Sequence, residues 1–128
     1  MSPAEDAALL LRIVRRHLQA MRLSLDPVFP DEEWGFQAQQ ALEKLLKAQL
    51  VFADRLPSRT HELSVLADQL DEPLPRQLLE LQVYAVEARY EEGPFALKTP
   101  RPELLAALEQ RLAALEADLV RSGEHGCG

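Results

Sequence analysis

The chain has 128 residues, a formal net charge of −7 and a sequence pI near 4.9. That length suits one domain with a real core, and the acidic balance excludes a protein that coats nucleic acid with a broadly basic surface, though not a local basic patch. Leucine occurs 25 times, isoleucine once, and aromatics make up 5%, a composition for helices and against sheets.

Ser2, with Glu5 three residues later and Pro3 between them, forms a capping box with a favourable first helical residue. Leu10, Val14, His17, Leu18, Met21 and Leu25 then repeat at helical spacing, which predicts a first helix over about 3–25. Its other side carries Arg12, Arg15, Arg16 and Arg22, read as a solvated face or as a contact for phosphate or an acidic partner. Pro27 and Pro30 mark a turn. Asp31 is the expected cap of a second, longer helix, with Glu32 and Glu33 complementing its positive end.

On that second helix each residue turns about 100°. Trp34, Ala38, Ala41, Leu45, Gln49 and Phe52 form a core stripe, and Phe36, Gln40, Glu43, Lys44 and Lys47 form the opposite, mixed face. The Glu43–Lys47 spacing suits a surface ion pair. Pro57 disfavours helix before it, so the helix should stop near Asp54. Thr60 is the expected cap of a third helix over about 60–70, with His61 at its mouth. Leu78, Gln82, Ala85 and Arg89, beside Leu79, Val83, Val86 and Tyr90, predict one continuous fourth helix over about 75–91. Thr99 and Pro100 restart a last helix whose Leu105, Leu108, Leu112, Leu115 and Leu119 form a seam that wants a partner from the bundle or from a second subunit.

The expected fold is therefore all-α, an up-and-down bundle of four to five helices. It forms one domain over 1–121, followed by a disordered tail over 122–128. The one cysteine, Cys127, allows no disulfide within the chain and no metal cluster. No apolar run approaches the roughly 20 residues of a membrane span and no signal peptide is read, so the expected location is cytoplasmic.

Three elements stand in order: Phe36, Ala38, Gln39, Gln40, Ala41, Glu43, Lys44, Leu46, Lys47 and Ala48; then Arg59 to Leu63; then Glu87 to Tyr90. Together this pattern resembles the HEPN domain over roughly residues 6–92. The resemblance implies a helical bundle, no cofactor, and a module that binds nucleotide or RNA, often as the partner of a small nucleotidyltransferase and in some cases as a toxin. It also implies an alternative, a metal-independent ribonuclease using an Arg and a His a few residues apart. Arg55 and His61 are the candidate pair, suited to stabilising phosphorane charge and to taking the 2′-hydroxyl proton. Arg12 and His17 are not, because five helical steps turn them about 140° apart. A third reading is a structural homodimer.

The expected site is one polar groove in which Gln40, Glu43, Lys44 and Lys47 approach Arg59, His61, Arg89 and Tyr90. Lys47, Arg59 and Arg89 would hold phosphate, Tyr90 would stack on a base and Gln40 would read its edge. Glu43 would orient Lys47 and Arg89. A homodimer is expected from Phe36 on a polar face and from the seam of the last helix.

Overall fold

The computed structural model describes residues 2–126. Among them there is no strand, and the chain is an all-helical bundle: α1 (Pro3–Leu23), α2 (Asp31–Phe52), α3 (Leu63–Gln69), α4 (Arg76–Leu79), a 3₁₀ turn (Glu80–Tyr84), α5 (Glu87–Tyr90) and α6 (Arg101–Gly126). The Ser2 cap forms as expected, while the Glu5 side chain returns to the Ser2 hydroxyl rather than to its backbone N–H. The Ser2 hydroxyl accepts the Glu5 N–H at 3.2 Å and donates to the Glu5 carboxylate at 3.1 Å.

The long helices run up and down. The Trp34 indole N–H near the start of α2 donates to the Met21 carbonyl near the end of α1, at 3.1 Å. α6 is antiparallel to α1, as Arg22–Glu109 (3.3 Å) and Arg15–Glu116 (2.7 Å) show. These two arginines of the basic cluster are thus spent on α6. The α6 seam is covered by α1 and α2, with Leu105, Leu108, Leu112 and Leu115 all buried, so its partner comes from within the bundle.

At the base of the bundle sits Arg101, its side chain only 8% exposed. It donates to the carbonyls of Ser24 (2.7 Å), Asp26 (2.9 Å) and Phe29, and to the Asp31 carboxylate (2.8 Å). Its guanidinium lies 5.7 Å from the Trp34 ring centre. Asp31 also accepts the Leu97 N–H at 3.1 Å. The hydrogen bond from Arg101 holds its carboxyl below the usual range, against the upward pull of burial. This corrects the expected cap: Pro30 occupies the cap position, Asp31 is the first helical residue, and its side chain is drawn to the α6 end.

α2 ends at Phe52, and Asp54 adopts a left-handed conformation (φ 58°) that lets the Arg55 N–H reach the Leu50 carbonyl at 2.9 Å. The third helix starts at Leu63 rather than Thr60. Thr60 Oγ1 accepts the Glu62 N–H at 3.0 Å, a turn two residues early, while Gln82 Oε1 accepts the Leu63 N–H at 2.6 Å and so caps α3 from a distant segment. The expected continuous fourth helix is instead three short pieces. Gly35 explains part of that path: a Cβ there would lie 2.6 Å from the Tyr84 ring. The ring seats directly on α2, and its hydroxyl donates to the Phe95 carbonyl at 2.9 Å. α6 continues to Gly126, past the expected boundary at 121, and Cys127 lies outside the described residues.

Candidate functional site

α2 is enclosed on more than one side, and this changes the character of its mixed face. Glu43, which its spacing suggested was a surface partner of Lys47, is fully buried. Burial alone pushes a carboxyl up in pKa. Here hydrogen bonds from Lys44, His61 and Gln39, with the Lys44 charge, outweigh that and bring Glu43 down to about 2. Oε2 accepts from Lys44 Nζ at 2.6 Å and Lys47 Nζ at 3.2 Å; Oε1 meets His61 Nδ1 at 2.8 Å and accepts from Gln39 Nε2 at 3.3 Å. A buried carboxylate is tolerated because its lone pairs are occupied by charged or strong donors.

The segment before α3 is held against this cluster through its backbone as well. Gln39, also fully buried, donates to the His61 carbonyl at 3.1 Å. Gln40 in turn donates to Gln39 Oε1 at 2.8 Å, closing a chain of amides along α2. Because an ionised carboxylate only accepts, His61 Nδ1 carries its proton toward Glu43. Nε2 is then the ring nitrogen left over, on a side chain 66% exposed.

His61 lines an open groove of about 500 Å³ with Arg59, Glu62, Gln82, Val86 and Glu87 among its walls. Arg59 makes no hydrogen bond or ion pair with the described residues. Lys44 and Lys47 are mostly covered, at 22% and 19% exposure, and both are held by Glu43. Among the described residues of the expected site, the cations without an ion pair are thus Arg59 and, further toward the start of α2, Arg89. The Arg89 guanidinium stacks 4.5 Å from the centre of the Phe36 ring and 5.9 Å from that of Tyr90. Tyr90 itself is exposed.

The structure therefore joins Gln40, Glu43, Lys44, Lys47 and His61 in one bonded cluster, with Arg59 beside it in the groove. Arg89 lies against the Phe36 and Tyr90 rings instead of meeting Glu43, so the expected Glu43–Arg89 contact is replaced by stacking. Arg55 is elsewhere: it donates to the Gln69 carbonyl at the far end of α3, about 10 Å along that helix from the His61 end. Gln39 and Gln82 are the functional-site residues that spacing did not single out. Gln39 falls between the two faces assigned to α2, and its signal is its place in the family pattern, in the glutamine doublet. Gln82 had none, because its role depends on a segment nineteen residues away.

A second cleft, of about 540 Å³, lies between the 3₁₀ turn and residues 94–99 and contains none of the expected site residues. Among the described residues no group of three or more His, Cys, Asp or Glu is arranged to hold a metal, and no helix is long and apolar enough to cross a membrane.

The family model described as the HEPN domain matches residues 7–113. That span runs from the first buried turn of α1 through the groove and into the α6 seam. Neither the curated proteins nor the solved structures contain a match to the chain.

Proposed function

The chain belongs to the HEPN domain family, and from that premise we propose that it is a nucleotide- or RNA-binding module whose site is the His61 groove and its extension along α2. One observation carries the reading: a buried, ionised Glu43 fixes the His61 ring beside an uncommitted Arg59. The Arg59 guanidinium supplies phosphate donors beside the oriented imidazole, and the Arg89 plane with Tyr90 offers a stacking surface for a base. Lys44 and Lys47 contribute through Glu43, which offsets their charge until an anionic ligand competes for them. Titration calorimetry with a mononucleotide and with single-stranded RNA tests this. Binding should weaken as salt rises and be reduced in Arg89→Ala and Lys47→Ala; no binding to either ligand would remove the reading.

The same reading includes a small nucleotidyltransferase as partner, a toxin-type pairing, a homodimer and a cytoplasmic location. The leucine seam of α6 no longer argues for the dimer, since it is buried within one chain, and Phe36 is half-buried beneath Arg89. The dimer thus rests on the family alone. A monomer by light scattering at micromolar concentration would remove it.

A metal-independent ribonuclease is the second reading, favoured by the Glu43–His61 pair, since a carboxylate that orients an imidazole leaves Nε2 as a base. Arg55 is too far along α3 to serve the same phosphate, so Arg59 is the cation that this reading requires. Cleavage of single-stranded RNA in chelator that disappears in His61→Ala and Arg59→Ala, but persists in Arg55→Ala, would support it.

A further inference from the structure

We propose that the His61 groove takes a terminal phosphomonoester, the phosphate end of a mononucleotide or of an RNA strand, between Arg59 and His61 Nε2, in preference to the internal phosphodiester backbone. The inference rests on the nucleotide-binding reading and narrows it to a ligand class.

Arg59 and His61 are alternate residues of the non-helical stretch before α3, and both line the same groove. Thr60 between them is occupied locally, its hydroxyl accepting the Glu62 N–H at 3.0 Å. Arg59 has donors and no partner among the described residues. His61 is anchored at Nδ1, 2.8 Å from Glu43, so its ring direction is set before any ligand arrives. The attraction of the Arg59 guanidinium scales with the charge of its ligand, which favours a phosphomonoester, carrying up to two negative charges, over a diester, which carries one.

The remaining walls oppose a polyanion. Glu62 and Glu87 line the same groove as Arg59 and His61, and the chain carries a net charge of −7. A strand threaded along the groove would bring successive phosphates against these carboxylates. A single phosphate with a sugar behind it would instead bring hydroxyl donors to Glu62 and Glu87 and to the side chain of Gln82. The charged groups facing His61 are Glu43, Lys44 and Lys47 from α2, Arg59 and Glu62 from its own segment, and Glu87 from α5.

Titration calorimetry at low salt with adenosine 5′-monophosphate and with ApA, a dinucleotide bearing one internal phosphodiester and no terminal phosphate, decides the matter. The monophosphate should bind about tenfold more tightly than ApA, corresponding to about 1.4 kcal/mol. Arg59→Ala, on an exposed side chain with no structural bond, should lose most of that preference, weakening the monophosphate well beyond ApA. His61→Gln, which keeps a polar side chain against Glu43 but loses the imidazole, should lower the affinity for the monophosphate more than that for ApA. Equal affinity for the two ligands, or an unaltered preference in Arg59→Ala, overturns the terminal-phosphate assignment and leaves nucleotide binding standing. No binding of either ligand overturns both.

Discussion

Two buried charged residues organise opposite parts of this bundle, and they are solved in different ways. Arg101 at the base is a cation whose donors go to three backbone carbonyls and Asp31. Every partner is part of the frame, and the result fastens the α1–α2 turn to the start of α6. Glu43 near the middle of α2 is an anion surrounded by side chains: two lysines, a glutamine and a histidine. Those partners retain donors of their own, and His61 reaches the groove. A buried charge held by backbone is closed, whereas one held by side chains transmits its orientation outward. That difference separates a structural clamp from a candidate site.

The largest expected effect breaks the closed end. Arg101→Ala would leave Asp31 and three carbonyls without their donor, and should destabilise the fold by about 3–5 kcal/mol in denaturant unfolding. A loss under about 1 kcal/mol would mean that the clamp is not what holds α6 to the α1–α2 turn.

Acid sharpens the contrast. Glu43 has a folded value of about 2 against an ordinary 4.5. Its contribution is therefore fully present above about pH 5 and lost as pH falls toward 2, with a size of about 3 kcal/mol. Asp31 is lowered too and acts in the same direction, so Glu43→Gln is the comparison needed. That variant should be less stable at neutral pH and show a flatter decline in acid. Parallel acid curves for wild type and variant would contradict an ionised Glu43.

A smaller effect, about 1–3 kcal/mol, is expected of Gly35→Ala, measured by thermal unfolding. The new methyl would meet the Tyr84 ring at 2.6 Å, and this clash outweighs the roughly 1 kcal/mol of helix propensity gained. An increase in stability would show that Tyr84 can move aside. The smallest is Gln82→Ala, which removes the acceptor for the Leu63 N–H and should cost about 1 kcal/mol. It should loosen the His61 side without touching the Arg101 end, visible as faster amide exchange at Leu63 and unchanged exchange through the first turns of α6.

Much of the fold was legible from the chain. The Ser2 cap, the stop of α2 before Pro57 and the 3,4 leucine spacing of α6 follow from local stereochemistry and helical period, which one-dimensional spacing encodes. Among the features that were read differently, three show why. Thr60 has the chemistry of a cap, but Glu62 turns its hydroxyl into a local turn and Gln82 takes over the helix start. Residues 75–91 have helical periodicity, yet the Tyr84 ring must seat on Gly35, and the path breaks into short pieces. The Glu43–Lys47 spacing is correct as a contact and wrong as a surface feature.

By itself the sequence determined the helical class, the polar and apolar sides of α2, and the family pattern that brought Gln40, Glu43, Lys44, Lys47, Arg59 and His61 under suspicion together. Periodicity fixes the angle at which a side chain leaves its helix, and so it fixes those things. It does not fix what packs over that side chain. Only the tertiary structure decided that Glu43 is buried, that Arg89 stacks on Phe36, that Arg55 lies at the far end of α3 and that Arg101 is a clamp. Burial is a property of what the rest of the chain brings to a face, and for Glu43 and Arg101 the covering segments lie 18 and about 75 residues away.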